Sequence, residues 1–189
     1  MNHSSNKVHQ RPRRILSIIA GNTIQGAGMG LGCVFLWLST YPNGVSIRVA
    51  AMIAGYLLIY FSSHSLTHFV IGRSGGIKFT HYSVGGSAHP STYPPIIRQI
   101  FEHLPFFAVH ADPGSLRAAA AIPTALMLGS GILGTALFSS LASLFAYRAQ
   151  IPGSTGLLIF NLIWQASSLI AETRKGGDLG KAARAIRKG

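Results

Sequence analysis

Apolar residues along this chain gather into four long runs rather than into the narrow stripes of a water-soluble fold. The runs cover about Ile15 to Ser39, Val45 to Gly72, Ala118 to Tyr147 and Ser154 to Ile170. A helix needs roughly 17–25 apolar residues to cross a hydrocarbon core about 30 Å thick, so each run is long enough to span. The pattern predicts an all-α polytopic membrane protein with about four transmembrane helices. Tyr41-Pro42-Asn43-Gly44 is a turn signal between the first two. Pro123 either kinks the third run or marks a later start. Residues 73–117 break the pattern. Ile77 to Val84 roughly alternates apolar and polar, as a short strand does. Residues 85–90 read as a loop. Between Pro95 and Val109, Ile96, Ile97, Ile100, Phe101 and Leu104 would share one face of a short interfacial helix. Asp112-Pro113-Gly114 reads as a turn. The expected organisation is a basic tail (1–14), a membrane domain (15–170) with spans at 15–39, 45–72, 118–147 and 154–170 around a strand, loop and interfacial-helix insert (73–117), and a second basic tail (171–189).

Small residues inside the runs predict close helix contacts. Gly26 with Gly30, and Gly28 with Gly32, form two small-xxx-small pairs in the first span. Gly129, Gly131 and Gly134, followed by Ser139, Ser140 and Ser143, make a similar stretch in the third. No strand precedes the first glycine group and it lacks a dinucleotide or Walker spacing, so it is not read as a phosphate loop. Cys33 is the single cysteine, which leaves no intrachain disulfide and no cysteine-rich metal site.

Composition sharpens this reading. Charged residues make up 11% of the chain, against about 25% in soluble domains. The net charge is +12, yet the basic residues stand at the ends of apolar runs. That fits membrane topology and anionic lipid headgroups at the two basic tails, and argues against nucleic acid. With four spans, 14 of the 16 Lys and Arg fall on the side holding both termini and the insert. Arg48 and Arg148 alone fall on the other. The positive-inside rule makes the richer side, and hence both termini, cytoplasmic. Arg11-Pro12-Arg13-Arg14 before an apolar run resembles the opening of a signal peptide. The run is too long for a signal core and lacks a cleavage site, so it is expected to be a retained span.

The candidate chemistry lies near the end of the second span, in His64-Ser65-Leu66-Thr67-His68. Residues i and i+4 share one helix face, so His64 and His68 can hold one metal ion. Ionisable side chains at this depth are costly and need a reason. A plainer account is that both imidazoles only bond neighbouring helices. A Ser-His-Asp triad is not expected, because Glu102, Asp112, Glu172 and Asp178 all lie at or beyond the membrane edge. Around Asp178, Thr173-Arg174-Lys175-Gly176-Gly177-Asp178-Leu179-Gly180-Lys181 would touch a phosphate or partner, or form a solvated, lipid-facing tail.

The His64–His68 helix, the Arg73 to Phe79 segment with its Gly76-Ile77 pair and following strand, the small-residue run after Ala118 and Phe160-Asn161-Leu162-Ile163 together resemble the site-2 protease family of intramembrane zinc metallopeptidases. The resemblance covers roughly residues 55–170 in order and topology. It implies zinc at His64 and His68. It also exposes departures. Ser65 stands where the family carries its catalytic Glu, and a hydroxyl is a poor general base toward metal-bound water. Leu169 stands where the Asp ligand would fall, and Trp164 replaces the proline of the Asn motif. Glu172, His81, His89, His103 and His110 are candidates for a replacement third ligand, and spacing selects none of them. The expected function is therefore a non-proteolytic binder of membrane protein partners with no catalytic residue. The alternative is an active metalloenzyme with atypical ligands, either a metallopeptidase or a His-rich iron enzyme. For the iron enzyme, the HxxxH pair fits but no adjacent His pair exists.

Overall fold

The computed structural model describes residues 14–42, 44–85, 104–173 and 176–188. The elements in order are β1 (Arg14–Leu16), α1 (Ile18–Leu38), α2 (Val45–Ser74), β2 (Phe79–Gly85), β3 (Phe106–Ala111), α3 (Pro113–Ala118), α4 (Ala121–Arg148), α5 (Ser154–Glu172) and α6 (Asp178–Lys188). Helices α1, α2, α4 and α5 are each long and apolar enough to cross a bilayer. Their large apolar side chains, among them Ile19, Leu31, Leu133, Leu137 and Ile163, point outward, whereas Ser63, Thr135, Ser139, Asn161 and Gln165 are buried. A fold with apolar exterior and polar interior suits lipid, where helix contacts rest on small residues and interhelical hydrogen bonds. The chain is thus an integral, multi-pass membrane protein with a small sheet, two of whose three strands lie between its second and third spans.

Helix contacts follow the glycines. A side chain at Gly32 would meet Ile59 and the Gly55 carbonyl, so α1 and α2 cross backbone to backbone. Gly28 lies over Ser62, whereas Gly26 and Gly30 face away and meet nothing. One of the two small-residue pairs in α1 therefore packs and the other does not. Between α2 and α4, Gly131 accommodates His68 and Gly134 accommodates Thr67. Three helices are joined by a polar network. The Tyr56 hydroxyl donates to Asn161 Oδ1 (2.9 Å), Asn161 Nδ2 donates to Ser140 Oγ (3.0 Å), and Gln165 Nε2 donates to Ser139 Oγ (2.8 Å). Trp164 Nε1 donates to the Tyr60 hydroxyl at 2.8 Å.

The sheet differs from expectation. Arg14 to Leu16, expected to open the first span or end the basic tail, form β1 and pair antiparallel with Val84 to Tyr82 of β2. Ser17 then caps α1 by accepting from Ala20 N–H at 3.2 Å. Residues 106–109 were expected within an interfacial helix. They are strand β3, with Tyr82 opposite Val109 and a bulge between Phe79 and His81. Residues 95–103 of that helix, and the 86–90 loop, lie outside the described residues. Tyr82 is fully buried over Gly21, with its hydroxyl donating to Asn22 Oδ1 at 2.7 Å. Ser65 donates to the Phe107 carbonyl, which ties β3 to α2.

Element ends have local causes. Gly76, at φ +81°, ends α2, with Ile77 N–H reaching the Gly72 carbonyl (2.9 Å) and Gly76 N–H the Arg73 carbonyl (3.1 Å). Asp112-Pro113-Gly114 is not a free turn: Asp112 caps α3 by accepting from Ser115 N–H at 2.7 Å, with Pro113 in its first turn. Ala119 and Ala120 are extended, and α4 starts at Ala121 rather than 118. Pro123 accounts for this, because a proline is tolerated in a first turn and breaks a helix further in. β1 pairs with the strand that follows α2, so the chain's described start and the insert lie at the same end of the bundle.

Candidate metal centre

The site begins with a length mismatch. Helix α2 has 30 residues and α4 has 28, but α5 has 19. At 1.5 Å per residue, α5 climbs only about 28 Å against about 42 Å for α4. Helix α5 therefore ends, and the chain turns, short of the sheet end. Glu172 closes that turn by accepting from Asp178 N–H at 2.5 Å, and α6 packs against α4, with Leu179 and Ala182 over Gly129. Asp178 arrives beside the two histidines.

His64 Nε2 lies 3.4 Å and His68 Nε2 3.2 Å from Asp178 Oδ2. One ligand atom from each of the three residues falls within 4.8 Å of the others. In a tetrahedral site with metal–ligand distances of about 2.1 Å, neighbouring ligand atoms lie about 3.4 Å apart. The two measured edges match that spacing. The His64 and His68 rings are edge to face, with centroids 4.9 Å apart.

The other ring nitrogens decide what the facing ones can do. His68 Nδ1 lies 2.6 Å from the Met127 carbonyl. A carbonyl only accepts, so Nδ1 carries the proton. His64 Nδ1 lies 3.3 Å from Thr135 Oγ1, whose own proton goes to the Gly131 carbonyl at 2.9 Å. That hydroxyl is left to accept, so His64 is also protonated at Nδ1. Both Nε2 lone pairs then point at Asp178 Oδ2, itself an acceptor. Three acceptors converging on one point call for a cation, or for added protons, between them. Ligating histidines are commonly fixed through their other nitrogen in this way. The donor set of two imidazoles and one carboxylate suits zinc.

Asp178 is 17% exposed and His68 13%, whereas His64 is 38% exposed. The open side of the site is therefore the His64 side. Lys181 Nζ binds the other Asp178 oxygen, Oδ1, at 3.2 Å, so a single carboxylate oxygen faces the rings. Where protons rather than a cation join the three groups, burial pushes the Asp178 carboxyl up, but hydrogen bonds and charge from the protonated His64 and His68 rings outweigh it and hold the group well below the usual carboxylate range.

The structure thus brings together the two predicted residues and one assigned to a solvated tail. Asp178 is not solvated, and its recruitment could have been suspected from the short fourth span followed by Gly176-Gly177. The other candidates for a third ligand go elsewhere. Glu172 caps α6. His81 and His110 stack on each other across β2 and β3, with centroids 4.5 Å apart. His89 and His103 lie outside the described residues. Ser65 is buried and bonded to β3 rather than turned to the site. Asn161, quoted for the family motif, is fully buried helix glue. Comparison of the chain with protein-family models, with curated proteins and with solved structures finds no match in any of the three.

Proposed function

We propose that this membrane protein holds one zinc ion on His64, His68 and Asp178 and acts by binding membrane protein partners rather than by cleaving them. The observation that carries the metal reading is the convergence of three ligand atoms within 4.8 Å, with both histidine Nδ1 groups already engaged by acceptors. A bound divalent ion would supply Lewis-acid polarisation on the open, His64 side. The resemblance to site-2 proteases is part of this proposal. The sheet after the histidine helix and the two-histidine, one-aspartate donor set support it. The binding role rests on Ser65, which occupies the place of that family's general base and is engaged with Phe107.

An active metalloenzyme is the second reading, favoured by one observation: Asp178 restores a carboxylate ligand that Leu169 does not provide. Two measurements separate the readings. Elemental analysis of the purified protein should find about one zinc per chain, and about none in His64→Ala/His68→Ala or in Asp178→Asn. Equal, negligible metal in all three would remove the metal reading. Cleavage of a candidate transmembrane substrate by the wild type, abolished in the double-histidine variant, would replace the binding role with the enzymatic one.

We assign the sheet end of the bundle to the cytoplasm, from the bias of basic residues. The basic tails would there meet anionic headgroups. A reporter fused after Gly189 that reads as external would overturn the assignment.

A further inference from the structure

The opposite end of the bundle carries a polar crevice that the metal reading does not use. It lies at the α4–α5 turn, has a volume of about 430 Å³, and is lined by Tyr147, Arg148, Gln150, Ile151, Ser154 and Thr155. We infer that this crevice binds a phosphate group, either the headgroup phosphate of a membrane lipid or free phosphate.

Three independent observations point to an anion. Helix α5 begins here after Gly153, at φ +80°, without a side-chain cap. Ser154 N–H is taken by the Ile151 carbonyl and Leu157 N–H by the Gly153 carbonyl, which leaves the N–H groups of Thr155 and Gly156 without a backbone acceptor among the described residues. Such groups at a helix N-terminus attract negative charge. Ser154 is 4% exposed, lines the crevice, and its hydroxyl has no hydrogen-bond partner among the described residues. What remains accessible of this residue opens on the crevice. Arg148 also lines the crevice, and none of the four acidic residues of the chain falls in either turn at this end, 39–44 or 149–153. Its neighbour in charge, Arg48, is engaged with the Ser39 carbonyl at 3.0 Å. Arg148 is therefore an exposed cation at this end with no acidic residue in either turn to pair with.

The crevice also stands at headgroup level. It sits where two spans end, and Tyr147 beside it and the edge-to-face pair Trp37–Tyr41 mark an aromatic boundary at the same end. A guanidinium offers a planar fork to phosphate oxygens, the Ser154 and Thr155 hydroxyls donate, and the first-turn N–H groups complete the cradle.

Native mass spectrometry of the full chain in a phosphate-free detergent tests this, with dioctanoyl phosphatidic acid as probe and dioctanoylglycerol as its phosphate-free match. The wild type should retain one phosphatidic acid and no dioctanoylglycerol. Arg148→Gln should weaken retention about tenfold, as expected for loss of a charged hydrogen bond. Ser154→Ala should weaken it measurably, and Arg148→Lys should retain part of it. Arg48→Gln should leave it unchanged. Displacement of the lipid by millimolar inorganic phosphate would make free phosphate the ligand, and resistance to displacement would make it the headgroup; each outcome supports phosphate recognition. Equal retention by the wild type, Arg148→Gln and Ser154→Ala, or equal retention of dioctanoylglycerol, would overturn the inference. Neither outcome depends on metal at the opposite end.

Discussion

Adding one methyl group at Gly131 tests the metal centre without touching a ligand. A Cβ there would lie 2.6 Å from Cδ2 and 2.7 Å from Cε1 of His68, and closer still to the ligating Nε2. Carbon atoms prefer about 3.5–4.0 Å, so the overlap is about 1 Å. The ring has little room to retreat, because Nδ1 is held by the Met127 carbonyl at 2.6 Å. Relief must come from turning the imidazole or parting α2 from α4, at about 1–3 kcal/mol for overpacking. If that strain falls on the ligating pose, zinc affinity drops about fivefold to a hundredfold. The assay is zinc competition against a chromophoric chelator in detergent, with thermal unfolding alongside. Gly129→Ala is the matched control on the same helix. Its Cβ would lie 3.6 Å from Leu179 and 3.8 Å from Ala182, which is ordinary contact. It should bind zinc as the wild type does and gain up to about 1 kcal/mol from helix propensity. Wild-type zinc affinity and stability in Gly131→Ala would refute the placement of His68 over Gly131, and the convergence of the three ligand atoms with it.

Other consequences of the packing can be measured. Gly32→Ala drives a methyl to 2.6 Å from Ile59 Cγ1 and 2.9 Å from the Gly55 carbonyl, so it should destabilise the bundle by about 1–3 kcal/mol in a denaturant assay, whereas Gly30→Ala should not. Tyr56→Phe removes the donor to Asn161 and should cost about 0.6–1.7 kcal/mol, with little further loss when Asn161→Leu is added to it than in Asn161→Leu alone. Burial pushes the Tyr82 phenol up to about 12. Its folded value then exceeds the unfolded value of about 10, so its contribution is complete below about pH 10 and is lost as pH rises toward 12, by at most about 3 kcal/mol. Phenolate absorbance of the wild type minus that of Tyr82→Phe should show a midpoint near 12, and a midpoint near 10 would contradict the burial.

The four spans were legible because bilayer length is a local signal, whereas small-residue spacing in α1 did not tell the packing pair, Gly28 and Gly32, from Gly26 and Gly30, which face away. The strand over Ile77 to Val84 was legible from alternation alone. Its partners were not. β1 is three residues long, and its Ile15 and Leu16 continue the apolar run of α1 without a break in composition. β3 follows a stretch whose isoleucines also suit a helix face, and only pairing with β2 makes residues 106–111 a strand. The histidine pair was legible from i, i+4 spacing. Asp178 was not, because it lies 110 residues from His68 in a basic tail, where a lone carboxylate normally reads as solvated. What places it is the difference in length between α5 and α4, a property of two spans compared rather than of any motif.

Ser65 has a structural task of its own. It is 2% exposed, one residue beyond His64 and about 100° around the helix from it, and its hydroxyl donates to the Phe107 carbonyl. That bond is a direct hydrogen-bonded link between α2 and β3. A glutamate at 65 would bring a longer, acceptor-only carboxylate against a backbone carbonyl, two acceptors facing each other in a buried position. Either the carboxylate would stay unpaired or β3 would leave α2. In this fold position 65 helps to hold the sheet against α2. The convergence of His64, His68 and Asp178 does not involve Ser65, whose hydroxyl is engaged with the sheet.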